Sequence, residues 1–219
     1  MEQNSLPVKQ RRYDSSRRRQ QASQTRDDIL AAARARFLAD GFAATTIGAV
    51  AADARVSVDT IYKTFGGKPG LVRAIHEQGL AGGGPVAAET RSDVLQATEV
   101  DPHAVMRGIG QLSAEVAPLV APILLLIRDA AATDPDMVAL RTELDEQRLR
   151  RMTNNAQNLA NAGRLRQGLT VAEAAEIMWT YSSPELYELL VLLRHWPPER
   201  FGSFIADALG AHLLEPSSL

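Results

Sequence analysis

The residues of this sequence best placed to do chemistry are hydroxyl and basic side chains at the starts of short helices. Thr46 precedes the apolar-periodic run beginning at Ile47, and Lys68 precedes Pro69. A helix start presents unpaired N–H groups at its positive end, so a hydroxyl or a cation beside them makes a ready phosphate site. Thr46 and Ser57 would also serve as caps in any helical protein, and both uses stay open. Other chemistries lack their groups. There is no cysteine, so thiol nucleophiles, iron–sulfur clusters and thiolate zinc sites are excluded. His76, His103, His195 and His212 have no partner at i+4, and no glycine-rich phosphate loop or nucleophile motif occurs. Glu143, Asp145 and Glu146 face different directions on a helix and read as solvated surface. The expectation is a protein with no catalytic residue, no metal and no cofactor.

The elements that must position these residues are helical. No alternating run of β-branched and aromatic residues spans five positions, whereas apolar residues recur at three- and four-residue spacing. A first helix is expected from Thr25, capped with Asp28 three residues on, and burying Ile29, Ala33 and Phe37 before Gly41 ends it. Thr46 opens a second helix with Ile47, Val50, Ala51 and Ala54 on one stripe. Ser57 opens a third that runs to Phe65, with Val56 and Ile61 as a hydrophobic staple and Ile61 and Phe65 in the core. Gly66-Gly67 stops it, and Pro69 suits the first turn of a fourth helix ending near Leu80.

Gly82-Gly83-Gly84-Pro85 breaks the chain. Asp101-Pro102 opens the next long helix, and Pro118 and Pro122 predict a break and a new start within it. Asp134-Pro135 opens a helix to about Ala160 with Met137, Leu140, Leu144, Leu149, Met152, Ala156 and Leu159 inward. Thr170 with Glu173 forms a capping box, Pro184 begins the apolar Leu186–Leu193 helix, and Pro197 begins the last.

Charge follows the same division. Residues 1–80 carry 13 Lys/Arg against 8 Asp/Glu, whereas residues 81–219 carry 11 against 18, beneath a net charge of −2. The positive excess lies mostly in residues 1–22, with Lys9, Arg11, Arg12, Arg17, Arg18 and Arg19 against Glu2 and Asp14. This segment reads as a basic disordered arm, either a solvated tail or a source of non-specific attraction to phosphate. Residues 23–80 then form one domain and 81–219 a second. The apolar stretch Leu119–Ile127, proline included, is short of the roughly 18 residues of a membrane span, and no signal-peptide core follows the arm. The expected location is the cytoplasm.

Two short helices joined by a three- to four-residue turn, the second bearing polar side chains, make a helix-turn-helix, whose second helix fits a major groove about 12 Å wide. The combination Ile29, Ala33, Phe37, Gly41, Thr46, Ala51, Ala54-Arg55-Val56-Ser57, Thr60-Ile61-Tyr62, Phe65, Lys68 and Leu71 sharpens the signal. The segment resembles the DNA-binding domain of the TetR family of one-component transcriptional regulators. The resemblance implies that Val58, Asp59, Thr60, Tyr62, Lys63 and Thr64 face the groove or its phosphate walls, with Thr46 and Lys68 on phosphates. Arg55 stands where the family usually has glycine. A left-handed conformation costs a non-glycine residue about 1–2 kcal/mol, which an arginine reaching a phosphate would recover. Asp59 suits the helix N-terminus and is also able to accept from a cytosine amino group.

The resemblance further implies an all-α fold with a C-terminal helical ligand-binding and dimerisation domain. Its last two helices, Thr170–Tyr181 and Pro197–Leu214, would pair with those of a second subunit. Leu186, Leu189, Leu190, Val191, Leu192 and Leu193 leave hardly any polar face, which suits a homodimer interface or burial within one subunit. The implied effector pocket for an unknown small molecule has Met106, Ile109, Leu112, Leu124, Ile127, Met152 and Trp179 as candidate lining, each more often plain core. The expected function is a repressor released from a palindromic double-stranded DNA operator by a ligand. The alternatives are a non-specific architectural DNA-binding dimer and, less favoured, an all-helical enzyme.

Overall fold

The computed structural model describes residues 9–216, with side chains from Ser16 onward. The described residues hold helices and no strand. They are α1 (Lys9–Ala44), α2 (Ile47–Asp53), α3 (Val58–Phe65), α4 (Lys68–Ala81), α5 (Ala88–Thr98), α6 (Pro102–Ala130), α7 (Pro135–Asn161), α8 (Val171–Tyr181), α9 (Pro184–Tyr187) and α10 (Pro198–Leu213). The fold is all-α, as the periodicity predicts. Two compact units divide between Leu71 and Val72, inside α4, whereas composition places the boundary at the glycines after it. A charge change marks a linker, while a compact unit is bounded by its packing.

In the first unit Ile29, Ala33 and Phe37 of α1 are buried with Val50 and Ala51 of α2, Ile61 of α3 and Leu71 of α4. Each large apolar side chain buried in this way contributes about 1.5–3 kcal/mol. Gly41, at φ +79°, interrupts the helical conformation of α1 where the sequence predicts its end. The beginning differs. Thr25 lies inside the helix, its hydroxyl donating to the Gln21 carbonyl at 2.9 Å, and Asp28 accepts from Gln24. A cap needs an extended backbone, and nothing in the Arg/Gln/Ala-rich run upstream stops helix propagation. The arm expected to be disordered is therefore helical from Lys9, while residues 1–8 lie outside the described residues.

In the second unit α6 packs along α10, α7 carries α8, and Val105, Met106, Ala156, Leu159, Met178, Ile205 and Leu209 belong to one buried cluster. α6 continues through Pro118 and Pro122 instead of breaking. Each interior proline costs about 3 kcal/mol. The buried residues on either side, Val120, Ala121, Ile123, Leu125 and Ile127, offset that cost through packing. Uninterrupted, α6 is long and apolar enough, by length and composition, to cross a membrane. The same helix supplies the Val105 and Ile127 core and pairs Glu115 with Arg91 of α5 at 2.5 Å.

Three further elements depart from the sequence expectation. α5 was not foreseen, because its anchors are polar. Gln96 reaches Asn155 of α7 at 3.1 Å in a buried pair, and Arg164 donates to the carbonyls of Gln96 and Glu99. Leu149 is exposed, being five residues beyond Leu144 and therefore off the buried stripe of α7. Leu186–Leu193 forms the short α9 followed by a π-helical turn, Glu188–Leu193, which leaves Leu189, Leu192 and Leu193 exposed. The capping box of Thr170 and Glu173 forms as predicted. Glu143, expected as solvated surface, instead pairs with Arg73 of α4, its second oxygen accepting at 2.6 Å.

His76 of α4 is buried. Desolvation, reinforced by the nearby Arg73 charge, lowers its pKa from 6.5 to about 4. The fold thus favours the neutral ring, and its contribution is complete above pH 6.5. As pH falls from 6.5 towards 4, the unfolded chain protonates first and about 3 kcal/mol of stability is lost. Urea midpoints measured between pH 7 and 4.5 should show this loss, and His76→Leu should flatten that part of the profile. Identical profiles would refute it.

Candidate nucleic-acid interface

The helix-turn-helix is built from two caps and one strained residue. The Thr46 hydroxyl accepts from the Ala49 N–H at 3.1 Å to start α2, and the Ser57 hydroxyl accepts from the Thr60 N–H at 3.1 Å to start α3. Between them Val56 N–H donates to the Ala51 carbonyl at 3.0 Å and Arg55 N–H to the Ala52 carbonyl at 3.2 Å. This is the pair of bonds of a Schellman ending, which places its C′ residue in the left-handed region. That residue is Arg55, at φ +55°. The turn keeps its geometry and carries the strain expected from the sequence. Arg55→Gly should raise the stability to unfolding by about 1 kcal/mol, read from the urea midpoint, and an unchanged or lower midpoint would count against a strained turn.

α3 turns Ile61 fully inward and leaves Val58, Asp59, Tyr62, Lys63 and Thr64 exposed, with Thr60 half-buried. Lys63 and Asp59 pair at 2.7 Å, so the charges of this surface largely cancel. Thr64 donates back to the Thr60 carbonyl at 2.8 Å, and the Ser57 and Thr60 hydroxyls stand 2.8 Å apart. Phe65, expected in the core, is half-buried, with one face covered by the Arg26 guanidinium 4.8 Å from its ring centre. Gly66, at φ +76°, ends the helix by donating to the Tyr62 carbonyl.

Lys68 is placed differently from a phosphate ligand reaching outward. Its ammonium donates to the Phe42 carbonyl at 2.7 Å and lies 4.4 Å over the Phe42 ring. The interruption at Gly41 leaves carbonyls that a nearby cation satisfies. Of the residues of α1 at this site, Gln21, Thr25 and Arg26 were missed by sequence reasoning, and Arg18 was expected only as part of the basic arm. With Thr60 and Thr64 they line a groove of about 370 Å³ beside α3. Their spacing of three, four and one is the signal that would have found them on one helix face.

The candidate effector residues occupy buried and half-buried positions of the second unit. Met106 and Ile127 are buried core, Ile109 and Met152 pack against the core cluster, and Leu112 and Leu124 are half-buried. Trp179 is covered by the Arg148 guanidinium, 4.3 Å from its ring. A cleft of about 460 Å³ in the second unit has only Met106 in common with the expected lining. Apolar spacing identifies inward faces, and close packing fills most of them. Among the described residues no cluster of histidine and carboxylate groups is arranged to hold a metal.

Residues 29–75, which contain the caps, the turn and α3, match the model of bacterial regulatory proteins of the tetR family. The match covers a tetR-family segment of the chain. No curated protein sequence matches the chain. Among solved structures, a SmeT–triclosan complex is similar at 21% identity and TM-score 0.67 over 89% of this chain and 93% of that one. NalD of Pseudomonas aeruginosa, the secondary repressor of the MexAB-OprM multidrug efflux pump, is similar at 19% identity and TM-score 0.66 over 88% and 98%. A transcriptional regulator of Saccharomonospora viridis in complex with choline is similar at 16% identity and TM-score 0.64 over 89% and 100%. The likeness in fold extends well beyond the tetR-family segment.

Proposed function

We propose that the protein is a cytoplasmic, sequence-specific transcriptional repressor that binds a palindromic operator as a homodimer and leaves it on binding a small molecule. The observation that carries this reading is the tetR-family helix-turn-helix, with α3 capped, rigidly turned and exposed along its polar face. Val58, Asp59, Tyr62 and Lys63 are offered to the major groove, with Thr46, Ser57, Arg55, Thr60 and Thr64 at its phosphate walls. Lys68 joins them only if DNA draws its ammonium away from Phe42. The exposed Leu189, Leu192 and Leu193 favour a second copy as partner, since a lone subunit would leave this apolar surface in water. SmeT with triclosan and the regulator with choline support a ligand-responsive second unit.

Selection of bound duplexes from a random library with the full chain tests the reading. A recovered inverted repeat with half-sites about one helical turn apart supports it. Salt-sensitive binding with no enriched sequence would select an architectural role instead, and a monomer in sedimentation at micromolar concentration would remove the dimer.

A further inference from the structure

We infer that Gln96 is the polar contact of a small-molecule site between α5 and α7, that the site takes uncharged molecules bearing a hydroxyl or N–H donor, and that α5 is the lid admitting them. This rests on the reading of the second unit as ligand-responsive and adds the chemistry of the ligand. Gln96 is buried, and its Nε2 donates to the Ser92 carbonyl at 3.3 Å and to Asn155 Oδ1 of α7 at 3.1 Å. A carbonyl has no proton to give, so the amide nitrogen must face Ser92 and the amide oxygen is the end left over. That oxygen, Oε1, is buried and accepts no hydrogen bond among the described residues. A buried acceptor without a donor bears its full desolvation cost, so a molecule bringing a donor to Oε1 supplies what the fold lacks. The charged groups on either side are matched already. Arg151 pairs with Asp93 at 2.8 Å and with Glu89 at 3.1 Å, and Arg164 donates to the carbonyls of Gln96 and Glu99. A charge brought among buried amides would have no counter-ion, which restricts the ligand to uncharged molecules.

α5 is weakly held. Its buried stripe is Ala88, Ser92 and Gln96, one helical turn apart, whereas α6 and α7 bury Val105, Met106, Leu144 and Leu159. Leu95, half-buried, lies against Gly108 of α6, while Val94 faces solvent. The ion pairs of Glu89 with Arg151 and of Arg91 with Glu115 are partly exposed and add little. At the cap position Ala87 offers no side-chain bond, and the glycine run Gly82-Gly83-Gly84 just ahead of it provides a hinge. An element with few buried apolar contacts opens well before the whole fold does, and lids are drawn from such elements. Lifting α5 gives up the Gln96–Asn155 bond, and a donor-bearing molecule lodged between the helices restores it at Oε1.

The test uses the full chain without DNA and probes of one shape: cyclohexanol, its methyl ether and the cyclohexylammonium ion. Ligand-observed NMR titration of the wild type should give cyclohexanol an affinity about fivefold above the ether's, as one hydrogen bond supplies, and no binding of the ammonium ion. Gln96→Met, which keeps the length of the side chain and removes the acceptor, should level alcohol and ether. Hydrogen exchange should find the amides of α5 opening before those of α7, and cyclohexanol should slow them. Equal affinities of alcohol and ether on the wild type, a preference that survives in Gln96→Met, or α5 amides indifferent to bound cyclohexanol would each overturn the inference. Binding of none of the probes by the wild type would also overturn it, leaving Oε1 to an ordered water. The wild-type measurements decide by themselves if Gln96→Met fails to fold. DNA plays no part in these readouts, so their failure leaves the helix-turn-helix reading standing. Cyclohexanol that binds at Gln96 and leaves operator affinity unchanged would support the site and count against release by a ligand.

Discussion

Gly70→Ala should unfold the first unit at markedly lower denaturant, at a cost of about 3 kcal/mol or more. The reason is a backbone approach that no rotamer relieves. A Cβ on Gly70 would lie 1.7 Å from the Phe65 carbonyl oxygen and 2.8 Å from its carbon. The chain leaves α3 at Phe65, reverses through Gly66-Gly67, and brings the first turn of α4 back against the end of α3. Accommodation therefore requires α3 and the start of α4 to separate, exposing Ile61 and Leu71, both fully buried. Overpacking typically costs 1–3 kcal/mol when side chains can yield, so an obstruction made of backbone belongs at or beyond about 3 kcal/mol. Gly48→Ala is the control, because its Cβ would meet only the Thr46 hydroxyl at 4.0 Å. Alanine there should stabilise α2 by about 0.5–1 kcal/mol. Urea unfolding of both variants decides, and two equal midpoints would refute the close approach.

The second large effect is expected where α6 crosses α10. A Cβ on Gly202 would stand 2.4 Å from the Gly110 carbonyl oxygen and 2.8 Å from the Ala114 Cβ. One on Gly110 would stand 2.3 Å from the Gly202 oxygen and 2.8 Å from the Ala206 Cβ. The two helices therefore meet backbone to backbone through reciprocal glycine and alanine pairs four residues apart. Gly202→Val should push them apart and loosen Phe201, Ile205 and Leu209 from the core cluster, costing about 3 kcal/mol. Alanine at both glycines should cost less than the sum of the single changes, because the first substitution has already opened the crossing. An interaction of about 1 kcal/mol or more is expected in the double-mutant cycle. Strict additivity would show that the two backbones do not share one contact.

These two sites show how far the sequence carries. Caps and stops were legible because each depends on a residue and its immediate neighbours. Thr46, Ser57, Gly66, Asp101, Asp134 and the Thr170–Glu173 box all stand where predicted. The left-handed Arg55 was legible for the same reason, since the turn that demands it is local. Local signals misled in two ways: packing carries α6 through Pro118 and Pro122, and helix propagation from the run upstream leaves Thr25 an interior residue of α1.

The candidate interface divides along the same line. The sequence by itself determined an all-α protein, a helix-turn-helix at residues 46–65, the identity of the exposed residues on its second helix, and a basic segment ahead of an acidic remainder. Periodicity and capping act within a few residues, and net charge needs no fold. Only the tertiary structure decided that the basic segment is a helix forming a groove with α3, that Lys68 turns to Phe42, and that Met106, Ile109, Ile127 and Met152 lie in or against packed core. It also decided which glycines are irreplaceable, for Gly48 and Gly70 are alike as letters in a helix. What distinguishes them is the atom lying where a Cβ would go, and chain reversal and helix crossing bring that atom there from outside the helix concerned.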